Sequence, residues 1–295
     1  KETKIILVCD NAQLASISCG NIVQDILDSG IVKRANLTKV FRYGDSGIAT
    51  VATDTRLGKP IDTSNAYPDY TYIPITKDPV EQIVEAYTGL MTKGYTKDDI
   101  TILCPYNKSN IGSYVINDAI QDKFNQHEFS GVEYKRDNHT IQFRIGDKII
   151  NKKNNYSMPK LDYDEYGELT PDGVFFVANG DMGTIRDVQE EDDKKYFVVE
   201  FDNGLAKVAG SDIGNLLLGY AISVHSSQGS QNKAIIVCIA NGHKRMLSRN
   251  LMYVGVSRAQ EQLIVIGDEE VIDEGLETVE NMERDTWLKE MLNND

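Results

Sequence analysis

Basic residues are scarce in this chain: its 295 residues hold 31 Lys and Arg against 45 Asp and Glu, a formal net charge of −14. Phosphate binding depends on cationic side chains displacing counterions. The surface as a whole therefore has no general affinity for nucleic acid, and any such contact must be local. Lys148, Lys152 and Lys153 form one candidate positive spot, and Lys244, Arg245 and Arg249 another. Long apolar runs are also missing, and none approaches the roughly 20 residues that span a bilayer. The opening Lys1–Val8 lacks the apolar core and small-residue cleavage site of a signal peptide. A cytosolic setting with no membrane partner is the expectation. The four cysteines, Cys9, Cys19, Cys104 and Cys238, show no CxxC or Cys/His spacing, so no metal site is expected and the thiols read as reduced and structural. The phosphate cradle G-x-x-x-x-G-K-[ST] is absent too, since Gly58-Lys59-Pro60 lacks the hydroxyl residue and the helix. By itself the chain is expected not to hydrolyse ATP.

What is present fits a globular protein of about two domains at roughly 150 residues each, with 41% hydrophobic residues to fill their cores. Short apolar runs alternate with helical segments. Ile5–Cys9 reads as a parallel strand covered on both faces, and Asn21–Asp28 as a helix closed by Gly30. Thr71–Ile75 reads as a strand. Asp78 caps a helix with Pro79 at its first position, running through Leu90 and ending near Gly94. Ile100–Cys104 is the next strand and Ser109–Phe124 the next helix. This order predicts an α/β fold.

From about His139 the texture changes to strands bounded by Gly, Asn and Asp. The segments are Ile141–Arg144, Asp147–Asn151, Gly183–Val188, Tyr196–Phe201 and Ala206–Val208, with turn signals at Asn179-Gly180 and Asn203-Gly204. They predict a small β-barrel inserted into the α/β domain, with an acidic, mobile loop between Pro159 and Pro171. After Gly214 the α/β pattern resumes, with strands at Ala234–Ile239 and Leu263–Ile266 and a last helix over Asn281–Leu292.

Three segments carry chemistry. In Gly219–Ser230, the apolar Ala221–Val224 reads as a central strand opening into His225-Ser-Ser-Gln-Gly-Ser230. These are small donors with a flexible glycine, at the carboxyl end of a strand where ligands bind in open α/β sheets. Asn250–Ala259 follows as a helix carrying one arginine, Arg258, directly before a buried strand. Cys9–Leu14 reads in two ways. It can be a strand ending in a Mg²⁺-binding Asp10, with Asn11 where a hydrolytic Glu would follow, or a buried strand leaving through a polar turn that holds Gln13.

In this order the segments resemble superfamily 1 helicases, and the RecD-like branch in particular. Asp10–Leu14 with Ser16–Asn21, then Val40–Gly44 with Ser46–Ile48, looks like helicase motifs III and IV. The sequence departs from the family at Cys9, where glycine is usual, and at Ala15, where proline is usual. The resemblance implies that Gln13 senses the γ-phosphate, that Arg42 lends a cation to the nucleotide pocket, and that Asp10 and Gly229 lie beside the nucleotide. Gly219–Ser230 is similar to motif V, which gives Ser223, His225, Ser227, Gln228 and Ser230 to the DNA. Ser227 stands where the family often has Lys. Val254–Ala259 resembles motif VI, in which Arg258 reaches the nucleotide as an arginine finger.

Ile145–Tyr156 with Ala178–Ile185 is similar to the family's SH3-like insertion beside single-stranded DNA. There Lys152, Lys153, Asn155 and Tyr156 suit phosphate contact and base stacking. The implied architecture is a RecA-like α/β domain carrying an SH3-like β insert. The implied division is 1–58, the tail of a first RecA-like domain; 59–136 and 213–295, the two parts of a second; and 137–212, the insert. The implied activity is that of an ATP-dependent DNA helicase, 5′→3′, of which this chain is the later part. ATP with Mg²⁺ would be held mainly by residues upstream of Lys1, and the implied partners are single-stranded DNA and subunits of a recombination or repair complex. A binding module of a recombination nuclease, or a nucleic-acid-stimulated NTPase without unwinding, stays open as an alternative.

Overall fold

The computed structural model describes residues 3–14, 20–37, 46–279 and 286–293. The first helices are α1 (Ile22–Ser29) and α2 (Gly47–Leu57). The start of α2 is fixed by side chains: Ser46 Oγ accepts the N–H of Ala49, and the Asp69 carboxylate accepts those of Gly47 and Ile48, satisfying donors that a helix cannot pair internally. Next come β1 (Tyr70–Pro74), α3 (Pro79–Thr92), β2 (Ile100–Cys104) and α4 (Ser113–Phe124). Asp78 caps α3 through the N–H groups of Val80 and Glu81, with Pro79 in the first turn, as the sequence predicts.

The β-rich stretch holds β3 (Phe129–Arg136), β4 (His139–Arg144), β5 (Lys148–Asn151), β6 (Asn155–Tyr163), β7 (Leu169–Val177), β8 (Met182–Glu191), β9 (Lys194–Phe201), β10 (Gly204–Ala209) and β11 (Leu216–Leu218). The chain then returns to the α/β layer through β12 (Ala221–Ser223), β13 (Asn232–Ile239), α5 (Arg249–Val256), β14 (Ala259–Gly267) and α6 (Glu269–Glu277), with α7 (Leu288–Asn293) beyond.

The α/β expectation is met by a five-stranded parallel sheet in the order β1-β14-β13-β2-β12. Its strands are buried on both faces, and the period-two alternation sorts their residues between two cores. Ile100, Ile102, Ile236 and Cys238 face α3 and α4, whereas Leu103, Ile235, Val237 and Ile239 face α2, α5 and α6. The first of these cores continues without a break into the β-rich stretch, through Phe143, Ile149, Ile185, Phe197 and Val199. There a seven-stranded antiparallel sheet runs β11-β5-β8-β9-β10-β6-β7, and β3 and β4 pair separately.

Several details differ from the sequence reading. Ile5–Cys9 forms no strand, and Ile5, Ile6, Leu7 and Val8 are 65–94% exposed. Among the described residues it pairs with neither edge strand of the five-stranded sheet, β1 or β12. The loop expected over Pro159–Pro171 is instead the end of the β6–β7 hairpin. Asp164 Oδ1 accepts the N–H groups of Tyr166 and Glu168 and closes a short turn. Cross-strand pairing there overrides an acidic composition, and both prolines fit because the register is irregular between Pro159 and Leu161 and β7 is an edge strand.

The helix expected from Ser109 begins at Ser113, because Gly112 before it is extended. The β9–β10 turn falls on Asp202 and Asn203, with Gly204 already paired to Phe201. Strand β3 escaped the sequence reading because polar residues and Gly131 break its alternation. Of the last expected helix, Asn281–Leu292, residues 281–285 lie outside the described residues, and α7 takes up its later part. Cys104 and Cys238 are buried free thiols, Cys238 pushed up to about 12 by burial. Cys9 is exposed, contrary to a structural role, and Cys19 lies outside the described residues. Among the described residues no helix is long and apolar enough to cross a membrane, and no cluster of His, Cys, Asp or Glu is placed to hold a metal ion.

At the junction of β11 and β12 the backbone of Gly219 passes against β5: its N–H bonds Lys148 O at 2.7 Å, and a Cβ there would sit 2.9 Å from the carbonyl carbon of Ile149. Gly219→Ala is expected to destabilise the protein by roughly 1–3 kcal/mol through overpacking. Urea unfolding measures this, and an unchanged midpoint would mean that the two strands separate freely here.

Candidate nucleic-acid and nucleotide-facing site

The loop after β12 lies at the carboxyl end of the parallel sheet, beside the end of β2, where open α/β sheets bind ligands. Its shape comes from its serines. Ser223 Oγ lies 2.8 Å from Ser226 Oγ and caps a 3₁₀ turn over Val224–Ser227. Ser227 Oγ donates to Val224 O at 2.7 Å and Ser230 Oγ to Ser227 O at 2.9 Å, and Gly229 takes a left-handed φ of 86°. This leaves His225, Gln228, Gly229 and Ser230 exposed. Ser227, expected to contact DNA, is 2% exposed with its hydroxyl engaged on the backbone, so its part is to hold the turn. Ser223 is buried as well and acts through Ser226.

The β insert meets this loop directly. Lys152 follows β5, and its Nζ donates to Ser226 Oγ at 2.8 Å. Partial burial, and then Arg136 nearby, lower its pKa below the usual lysine range. Lys153 is exposed. Tyr156, 74% exposed, stacks on Phe176 with centroids 4.9 Å apart and planes at 25°. Asn155 is turned away from this surface, its Nδ2 donating to Asp212 Oδ2 at 3.1 Å.

The cleft between loop and insert is also lined by Asn107, Tyr114 and His139, which the sequence reading missed. Ser113 Oγ donates to Asn107 Oδ1, and Tyr114 stacks on His139 at 5.0 Å. The available signal was Gly112, whose missing Cβ would lie 2.4 Å from Asn107 O.

Other cations from the sequence do not join this surface. Lys148 is buried, its ammonium bonded to Ile100 O at 2.8 Å, Lys97 O at 3.2 Å and Thr101 Oγ1 at 3.2 Å. Lys244 pairs with Glu274. Arg249 donates to Leu276 O and packs over Gly58. Each lay on an attractive sequence position but was claimed by a neighbouring carbonyl or carboxylate.

On its other side the loop meets Arg258. This residue lies past the end of α5, in the turn into β14, and not within the helix as expected. It is 7% exposed, and its guanidinium donates to Val254 O and Ser230 O at 3.1 Å and to Ser257 Oγ at 3.2 Å. The same helix holds the early segment: Asn250 Nδ2 donates to Ala12 O and Gln13 O, and Tyr253 Oη donates to Asp10 Oδ2 at 3.1 Å. Gln13 Nε2 donates to Asp10 Oδ2 at 3.4 Å.

Burial, and then Asp10, raise the pKa of Tyr253, with Arg56 and Arg258 opposing. Asp10, Arg56 and Arg258 thus all act on Tyr253. Arg56 was not anticipated, because an arginine in a last helical turn looks like a surface residue. Arg42 lies outside the described residues. Two guanidinium groups and an amide suit the anionic phosphate end of a nucleotide, so this donor set fits one wall of an ATP–Mg²⁺ site. Gly229, placed beside the nucleotide by sequence, sits in the turn just before Ser230.

Comparison with known proteins gives consistent matches. Residues 218–266 match the UvrD-like helicase C-terminal domain, residues 116–201 the ATP-dependent RecD-like DNA helicase SH3 domain, and residues 1–78 an AAA domain. The chain is 28% identical to the ATP-dependent RecD2 DNA helicase of Deinococcus radiodurans over 168 residues, covering 57% of this chain and 20% of that protein. It is 25% identical to the RecBCD enzyme subunit RecD of Mycolicibacterium smegmatis over 299 residues, covering 94% of this chain and 47% of that one. The Pif1 helicase structure from Candida albicans aligns with a TM-score of 0.49 at 15% identity, covering 82% of this chain and 58% of that one. The chain thus spans less than half the length of these two curated relatives.

Proposed function

We propose that this chain, which belongs to the RecD-like branch of the superfamily 1 helicases, grips single-stranded DNA and senses the γ-phosphate within an ATP-dependent DNA helicase. One observation carries the reading: the 223–230 loop is bonded to Lys152 of the insert at Ser226 and to Arg258 at Ser230. A change at Arg258 is therefore felt within one short loop by the surface that would hold DNA.

In this reading Lys152 and Lys153 face the DNA backbone, the Tyr156–Phe176 pair offers a ring to a base, and His225, Gln228 and Ser230 complete the grip. When bound, ATP with Mg²⁺ supplies a phosphoryl group whose transfer builds negative charge. Arg258 would stabilise that charge, and a movement of its guanidinium would reach the loop through its bond to Ser230 O. Gln13 reports the same end of the site through Asn250, which holds its backbone, and Arg56 adds a second cation. By the family likeness Arg42 lends a further cation to the nucleotide.

The division proposed is 1–58 as part of a first RecA-like domain, 59–136 with 213–295 as a second, and 137–212 as the insert. The chain alone is expected not to turn over ATP, for want of a phosphate-cradling loop. Direction, 5′→3′, follows from the family likeness, as do a cytosolic setting and partners in a recombination or repair complex.

The test is fluorescence anisotropy of a labelled oligo-dT with this chain across salt concentrations. Lys152→Ala is expected to weaken binding several-fold and to flatten the slope of log K against log salt by about 0.7, one single-strand phosphate contact. A folded chain with no affinity for the oligonucleotide at low salt would refute the reading and leave a protein-interaction module in its place.

A further inference from the structure

Two adjacent buried ionisable residues, Asp147 and Lys148, take no part in the chemistry above. Asp147 is fully buried just before β5, and its carboxylate collects donors from separate segments. Oδ1 accepts Asn125 Nδ2 at 2.8 Å and the Tyr220 hydroxyl at 3.1 Å, and Oδ2 accepts Gln121 Nε2 and the N–H of Arg144, both at 2.7 Å. Gln121 lies on α4, Asn125 just beyond it, and Tyr220 between β11 and β12. Lys148 reaches the opposite way, to the amino end of β2. A buried carboxylate is costly unless its lone pairs are satisfied, and here they are satisfied only if α4, the insert and the residue entering β12 keep one mutual arrangement.

That arrangement governs the DNA-facing pair. From Asp147, β5 runs to Asn151 and ends on Lys152. From Tyr220, β12 runs to Ser223 and the chain then reaches Ser226. β5 pairs with β8 and β11, while β12 pairs with β2, so the two strands that deliver Lys152 and Ser226 share no ladder. Beside the backbone bond from Gly219 N–H to Lys148 O, the Tyr220–Asp147 bond joins them, five residues before Lys152 and six before Ser226. Tyr220 is itself fixed to the parallel sheet by the bond from Ile102 N–H to its carbonyl at 2.9 Å.

We propose that Asp147 is a positioning residue that locks the head of β5 to the strand entering the 223–230 loop, so that Lys152 and Ser226 meet DNA as one surface. This rests on the reading that Lys152 contacts DNA. The test is a double-mutant cycle on oligo-dT affinity. Lys152→Ala is measured in the wild type, in Asp147→Asn and in Tyr220→Phe, each confirmed folded by its thermal transition. Tyr220→Phe removes only the side-chain bond from Tyr220 to Asp147 and carries the test if Asp147→Asn fails to fold.

Lys152→Ala is expected to cost several-fold in the wild type and less than about twofold in either altered background, a coupling that independent sites would not show. The same fold cost in every folded background overturns the positioning role, because loss of stability alone leaves the contribution of Lys152 intact. A wild type indifferent to Lys152→Ala overturns the DNA reading and this role with it, and the two failures are told apart by that single wild-type measurement.

Discussion

Arg258→Ala is expected to lower DNA-stimulated ATP turnover by roughly 10³-fold or more, in a protein that carries this chain together with a phosphate-binding domain. Arginines that meet the charge of a transferring phosphoryl group contribute factors of that order. The loss should fall on kcat with little change in KM for ATP, because the contact is made to charge that develops in the transition state. Arg258→Lys keeps the charge but loses the planar fork that reaches Val254 O, Ser230 O and Ser257 Oγ, so it should restore little. Arg258 also packs the end of α5, so each variant needs its melting temperature beside its rate. Turnover within tenfold of wild type, in a folded Arg258→Ala protein, would remove Arg258 from the nucleotide site.

Raising pH should stabilise the wild type relative to Lys148→Met, by about 3 kcal/mol in total. Burial pulls the Lys148 ammonium down to about 8, with Asp98 and Asp99 partly offsetting it, whereas in the unfolded chain it titrates near 10.4. Between these values the unfolded state binds more protons than the folded one, so stability rises with pH across about 8–10.4 and is flat on either side. Below pH 8 the folded state carries the full cost of a buried charge, offset by its carbonyl partners. Taking the difference from Lys148→Met cancels the tyrosines and other lysines that titrate in the same range. Urea midpoints of the two proteins at pH 7, 8.5 and 10 give the curve, and a constant difference would show that Lys148 is solvated.

Near-neighbour physics made much of this protein legible in its sequence. Asp78-Pro79 opens α3 because capping and proline geometry act within one turn. β2, β13 and β14 follow from short apolar runs of the kind a sheet buried on both faces accommodates. The serines, glutamine and glycine after β12 and Arg258 before β14 stand out in sequence as candidates because small donors and one cation occur there in a fixed order.

What lay beyond sequence was each side chain's choice of partner across the fold. Lys148 and Lys152, four residues apart, look alike in sequence. The first turns under the parallel sheet, where carbonyls at the start of β2 capture it, and the second reaches Ser226. Ser227 spends its hydroxyl on its own turn, and Arg56 comes near Tyr253 from a distant helix. Ile5–Val8 has the composition of a buried strand and lies exposed, because composition does not specify a pairing partner. The sequence by itself determined most of the helices and the central strands of the parallel sheet, and which residues could bear charge or donate bonds, because those properties are local. Tertiary structure decided which of those groups are free and which are used up, because a buried polar atom must find its partner among residues far away in the chain.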